Sequence, residues 1–355
     1  MVRPRLVAAS LLAVLLTACS SREELGRGAL TILGEGVVNN PANKSLRFDI
    51  LEFGLDRFCF EMLRLGAPLK LSDDQPVLGR FFAETCQSQV LDDSRKSFVV
   101  QYSGKGYGWT NLSGRLGFTS SGLIEYAPDF QMHEGAMYIY FRPRNIDATR
   151  FNTLMVESSF AKAGMAVTGL NPDQLGRNLV QGQLQRGFTV IRYASSGETD
   201  FGLGYVQKGR KPFKPFSVQH SDKVTLANDR TEVHTGQQDF VGGFEVKEDD
   251  QALYLTLSAD GAPAVDVLLL GKGAGDVMID QYVKNPGPTS TAFTPALDEA
   301  LTAGQLWKRY ARVPKGVYYL LIDHSDRVGR SAPSAPASDD RAAKVDYLVQ
   351  LGAAP

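Results

Sequence analysis

Between residues 240 and 351 the apolar residues arrive in short runs: 240–246, 251–257, 264–270, 277–282, 316–322 and 343–351. Each is six to nine residues long and has a glycine or a charged residue within three positions of its end. Runs of that length, rich in Val, Ile, Leu and Tyr and bounded by turn formers, suit strands better than helices. A succession of them is the pattern of a β-sandwich, and no strong helix is expected between residues 215 and 295.

The first part of the chain reads differently. Ala29 to Leu33 suits a strand, and residues 48–53 suit either a strand or the start of a helix. From Leu51 the apolar residues Leu51, Leu55, Phe58, Cys59, Met62 and Leu65 recur at spacings of three and four, which predicts a helix ended by Gly66 and Pro68. Phe60 and Leu63 lie off its main apolar face, where they either thicken a core contact or line a lipid groove. Pro76 suggests a second, short helix carrying Val77, Phe81 and Phe82 to about Cys86. Strands are expected at residues 98–102, 107–118, 123–126 and 136–141, with a turn at His133-Glu134-Gly135. Asn171-Pro172 is a good helix start, and Leu175, Leu179, Val180, Leu184 and Phe188 form one face after it. Residues 188–191 return to strand. The expected class is therefore an α+β domain, a curved antiparallel sheet with long amphipathic helices, followed by an all-β sandwich.

The N-terminus places the chain. Arg3 and Arg5 precede an apolar stretch over residues 6–16, too short to span a bilayer and typical of an export signal. Leu16-Thr17-Ala18-Cys19 resembles the bacterial lipobox, which implies cleavage before Cys19 and acylation of that cysteine. Ser20 stands where an aspartate would resemble the inner-membrane retention signal, so the resemblance implies an outer-membrane anchor facing the periplasm. The expected division is 1–18 signal peptide, 19–28 tether, 29–205 α+β domain, 206–220 linker and 221–355 sandwich. Losing Arg3 and Arg5 with the leader leaves a formal charge of −3, with no basic excess to neutralise phosphates, so nucleic acid is not an expected partner. The remaining cysteines, Cys59 and Cys86, suit one disulfide in an oxidising compartment, worth roughly 3 kcal/mol, or two buried thiols.

Chemical motifs are sparse. His133, His220, His234 and His324 are scattered without metal-ligand spacing, and no cofactor is implied. Gly104-Lys105-Gly106-Tyr107-Gly108 and Gly271-Lys272-Gly273-Ala274-Gly275 lack dinucleotide or Walker spacing and read as turn or bulge glycines. Asp323-His324-Ser325-Asp326 reads as a polar turn, since a triad is assembled in space and no GxSxG elbow is present. Arg142-Pro143-Arg144 suits surface ion pairing or a carboxylate or phosphate clamp, and the basic run over residues 208–215 suits a solvated linker or anionic headgroups. None of this is an enzyme's signature.

The order of elements adds a resemblance. Ala67-Pro68-Leu69-Lys70-Leu71 after the first helix, Gly135-Ala136-Met137-Tyr138-Ile139-Tyr140, Asp147-Ala148-Thr149 and the helix over 175–188 resemble periplasmic lipoproteins of the tubular lipid-binding superfamily. That resemblance spans residues 29–195 and implies a curved sheet wrapped round a helix, enclosing an acyl chain. The later region, best at Val313-Pro314-Lys315-Gly316-Val317-Tyr318-Tyr319-Leu320, resembles the sandwich modules of pre-peptidase C-terminal type, which implies binding or stabilisation without catalysis. The expectation is a lipid or other apolar ligand lined by Leu51, Leu55, Phe58, Met62, Leu175, Leu179 and Leu184. The alternative is a non-catalytic scaffold of an envelope complex, contacting its protein partner through the sandwich.

Overall fold

The computed structural model describes Asn40, Ala42 and Asn43 and residues 58–90, 98–158, 172–193, 199–218, 222–331 and 341–355, apart from positions 61, 112 and 291. Cys19, Leu51 and Leu55 lie outside these residues, as does the run 29–33. Among the described residues the chain is mostly β, with two sheets. This corrects the expected α+β class with long amphipathic helices: among the described residues of the first half the longest helix is α1 (Pro172–Arg186), with 15 residues. No described helix is long and apolar enough to cross a membrane.

The first half is built from β1 (Ala67–Lys70), β2 (Val77–Val90), β3 (Phe98–Thr110), β4 (Gly114–His133), β5 (Ala136–Val156), β6 (Phe188–Tyr193) and β7 (Thr199–Leu203). β2 to β7 pair antiparallel in chain order, and β1 pairs with β2. The second half contributes β8 (Val224–Val233), β9 (Gln237–Val246), β10 (Gln251–Asp260), β11 (Ala264–Gly271), α2 (Lys272–Lys284), β12 (Leu297–Thr302), β13 (Leu306–Ala311), β14 (Gly316–His324) and β15 (Ala343–Ala353). Strands β13-β10-β15-β8 continue the large sheet through a single parallel pair, Val77 opposite Thr231, while β12-β11-β14-β9 form the second sheet.

Period-two alternation explains why the second sheet lies between two cores. On β14, Tyr318, Leu320 and Ile322 face the sandwich core shared with Leu253, Leu255 and Leu257 of β10, while Tyr319 and Leu321 face the opposite cluster with α2. The run 277–282, expected as a strand, lies in α2. Ala274, Met278 and Tyr282 are four apart, as are Ile279 and Val283, and all five are buried. The residues 271–275 therefore join β11 to a helix, rather than forming a turn or bulge between strands.

The segment 77–86 is the converse correction: it belongs to β2, not to a helix. Val77 and Phe81 are four apart, a spacing that helix and strand both place on one face. Pairing to β1 and β3 on its two edges decides the matter, and the adjacent rings Phe81 and Phe82 then serve clusters on opposite faces. Helix does form at 58–60 and 62–65, ending at Gly66 as the sequence predicts. Phe58 and Cys59 pack into the first core, and Leu65 packs against the sandwich core.

Two glycines allow the halves to close. Gly117 of β4 lies against the backbone of Val283, where an added Cβ would come within 1.8 Å of the carbonyl oxygen. Gly243 sits at φ +28° in the β9 irregularity opposite Tyr318 and Tyr319, and its Cβ would come within 2.4 Å of the Arg64 carbonyl oxygen. Side chains complete the junction: Lys70 donates to Asp229 at 2.6 Å, Lys105 to Asp280 at 3.0 Å, and Arg115 to the carbonyls of Asn285 and Gly287 at 2.9 and 2.8 Å.

Candidate functional site

Cys59 and Cys86 are joined by a disulfide, with Cα atoms 5.3 Å apart. It therefore fastens a helical turn to a strand, not two helices to each other. The next residues, Met62, Leu63 and Arg64, are held beside β2 and across from α2. Between them runs a groove of about 410 Å³, within the range of small-molecule sites. Met62, Leu63, Phe82, Ile279 and Tyr319 supply its apolar surface, while Arg64, Glu84, Lys105, Lys272 and Asp276 supply its polar margin. Ile279 and Tyr319 are buried, whereas Leu63 is 49% exposed and forms an apolar lip.

Both lysines of the polar margin are paired with carboxylates. Lys272 Nζ is 2.6 Å from Asp276 Oδ2, one helical turn along α2, and the Tyr319 hydroxyl donates to Asp276 Oδ1 at 3.0 Å. Burial, reinforced by that carboxylate, holds the Tyr319 phenol well above its ordinary pKa, so it stays a donor. Lys105 reaches Asp280 and Glu84, at 3.0 and 3.5 Å. Burial opposes its charge, but these carboxylates outweigh burial and hold its pKa above the ordinary lysine value. Asp280 is held below the ordinary aspartate value by hydrogen bonds from Lys284 and then Lys105. Such a margin presents fixed charges of both signs beside an apolar floor and repels neither an anion nor a cation outright. It suits a ligand with one apolar limb and a polar, dipolar end.

The residues expected to line an acyl cavity are distributed otherwise. Phe58 is buried in an aromatic stack, its ring 4.3 Å from Phe188, which in turn lies 4.4 Å from Phe141. Phe118 and Phe151 stack at 4.8 Å on the same core. Leu184 is partly buried against that core, and Met62 both touches it and lines the groove. Leu175 and Leu179 fall on α1, but their side chains lie outside the described residues, as do Leu51 and Leu55. Of the expected lining, then, Met62 reaches the groove, together with Leu63, which the helical pattern had already set apart.

Sequence reasoning missed Phe82, Lys105, Lys272, Asp276, Ile279 and Tyr319. A signal for the α2 members was present: Lys272 and Asp276, like Asp280 and Lys284, are oppositely charged pairs four residues apart, the spacing of a helix surface. The polar sequence at 323–326 does not assemble a triad. Ser325 Oγ donates to Asp323 at 2.8 Å, while His324 Nδ1 lies 3.2 Å from the Val233 carbonyl. No group of three or more metal-binding side chains occurs among the described residues. Compared with known proteins, the chain matches no family model and no curated protein.

Proposed function

We propose that this is a lipid-anchored protein of the bacterial envelope that holds an amphipathic ligand, an acyl chain with a polar head, in the groove between residues 62–66, β2, β3 and α2. The observation that carries the reading is the groove itself: about 410 Å³, with an apolar floor and a margin of paired charges, and one wall fixed by the Cys59–Cys86 disulfide. Burying a single CH₂ contributes about 0.8 kcal/mol, so even a chain covered over half its length would be held at useful affinity. The lipobox-like Leu16-Thr17-Ala18-Cys19 supports the location, because acylated Cys19 would keep the groove beside a supply of such molecules.

The test is native mass spectrometry of the full chain carrying Cys19→Ser, purified from its own envelope fraction, followed by solvent extraction. A mass excess that disappears on extraction and yields an acyl-chain species is the expected result. A ligand-free mass, with no lipid taken up on incubation with fatty acids or phospholipids, would overturn the reading.

A further inference from the structure

The outer face of β5, β6 and β7 carries a second feature that the groove does not use. Tyr138, Tyr140, Ile191 and Val206 form a small cluster there, separate from the main core. The basic stretch 205–214 folds back over it. Val206 is buried, its amide donating to Thr189 Oγ1 at 3.0 Å, and the Phe213 amide donates to Asp73 Oδ2 at 2.6 Å. Between these fixed points the Arg210 amide donates to the Gln207 carbonyl at 2.9 Å, closing a turn whose Gly209 lies against the His133 ring. The basic run is therefore a shaped surface rather than a bare linker.

That surface combines cations with aromatic rings. Tyr205, 52% exposed, stacks on Tyr140 at 4.7 Å, and the Arg142 guanidinium lies 5.0 Å from its ring centre. Lys211 Nζ lies 5.0 Å from the Tyr193 ring centre. Arg142, Lys208, Arg210 and Lys211 are exposed. The acidic neighbours are Glu134 beside His133, Asp129 on β4, Asp73, which accepts from the Phe213 amide, and Asp200, which is engaged by Lys214 and the Tyr193 hydroxyl. The patch is thus positive on a chain whose formal net charge is −1.

We propose that this face docks on the surface of a bilayer containing anionic lipid, with Arg142, Lys208, Arg210 and Lys211 among the headgroup phosphates and Tyr205 at the interface. Tyrosine favours that depth because its ring is apolar and its hydroxyl wet, and long basic side chains reach past apolar surface to the headgroups. Each lysine or arginine near an anionic bilayer strengthens binding about fivefold. The contact is separate from the acyl anchor and would orient the anchored protein on the membrane.

The test uses the chain from Ser20 onward, so that neither the apolar leader nor an acyl group contributes, in co-sedimentation with vesicles of phosphatidylglycerol and phosphatidylethanolamine and with vesicles of phosphatidylcholine. Binding to the anionic vesicles alone, reversed by high salt, is expected. The triple variant K208Q/R210Q/K211Q should weaken it by on the order of 100-fold. Y205S should weaken it too, and K247Q, a change just beyond the end of β9, should not. Circular dichroism and thermal midpoints establish that each variant is folded. No binding to the anionic vesicles, equal binding to phosphatidylcholine, or full retention by the triple variant would each overturn the proposal. So would binding to an acidic envelope protein with none to lipid. None of these outcomes bears on the groove.

Discussion

Arg80 and Asp239, 159 residues apart in the chain, meet in a two-pronged ion pair: Nε to Oδ1 and Nη2 to Oδ2 are each 2.8 Å. Both side chains are about 95% buried. Tyr107 donates to the same Oδ1 at 2.7 Å and accepts from the Phe240 amide at 2.9 Å, while Arg80 also donates to the Tyr347 hydroxyl at 3.1 Å. One carboxylate on β9 thus organises groups from β2, β3 and β15. A buried pair of this kind is weak evidence of net stabilisation, because desolvation offsets the attraction, but it makes each partner intolerant of losing the other.

Asp239→Asn is therefore expected to cost about 3–5 kcal/mol, since it leaves the Arg80 charge buried without a counterion. The paired replacement R80M/D239L should cost less than that single change. Urea denaturation of the three proteins checks both statements, and a cost for Asp239→Asn below about 1 kcal/mol would place the pair outside the junction's energetics.

A second carboxylate gives stability a dependence on pH. Burial pushes Asp323 up to about 6 from an ordinary 3.8, against hydrogen bonds from Ser325 and Gln238, and the neighbouring Asp266 adds to the rise. Between those values the folded protein holds a proton that the unfolded chain has released. The associated stability is complete below 3.8 and is lost as the pH rises through about 6. Wild type should lose on the order of 3 kcal/mol relative to Asp323→Asn between about pH 4 and about pH 7. Denaturant midpoints for the two proteins across that range supply the measurement.

Removing the disulfide should act on stability and on ligand together. C59S/C86S is expected to cost roughly 3 kcal/mol by the chain-entropy argument. It should also weaken amphiphile binding, because Met62 and Leu63 are carried by the turn that the bond fastens to β2. Calorimetric unfolding and a fluorescent fatty-acid titration of the same preparation separate the two effects.

Gly243→Ala should destabilise by about 1–3 kcal/mol, from the strained φ and from the methyl group's clash with the Arg64 carbonyl. It should lower groove affinity as well, since the displaced backbone is the groove wall. Gly273→Ala is the control: it lies in α2 with nothing within 4 Å of the added carbon, and should be neutral or slightly stabilising. Thermal midpoints of the two variants, compared with the same titration, decide the point.

Much of the strand pattern could be read from the sequence, and the errors have physical causes. The runs 240–246, 251–257, 264–270, 316–322 and 343–351 are strands, because alternation or continuous apolarity over such lengths leaves few other ways to bury them. The run 277–282 misled because Val277, Met278 and Ile279 are consecutive and Gly271, Gly273 and Gly275 precede them, hiding a four-residue spacing that extends back to Ala274. Gly275 is there because the Tyr319 ring lies 2.2 Å from where its Cβ would be, a tertiary constraint that local sequence does not announce. The groove was legible only at Met62 and Leu63. Apart from Arg64 and Gly66 of the same turn, its other residues come from β2, β3, α2 and β14, and nothing local to those segments says that they meet.

Photocrosslinking reports directly where a bound acyl chain lies, and the groove is the place proposed for it. A fatty acid with a photoreactive group in its chain, irradiated with the full Cys19→Ser protein and mapped by peptide mass spectrometry, should label peptides containing Met62 and Leu63 and those containing Asp276 and Ile279. Labelling of both should fall in Ile279→Glu, which puts a charge on the groove floor. Absence of specific labelling, or labelling confined to other segments and unchanged in Ile279→Glu, would contradict the claim.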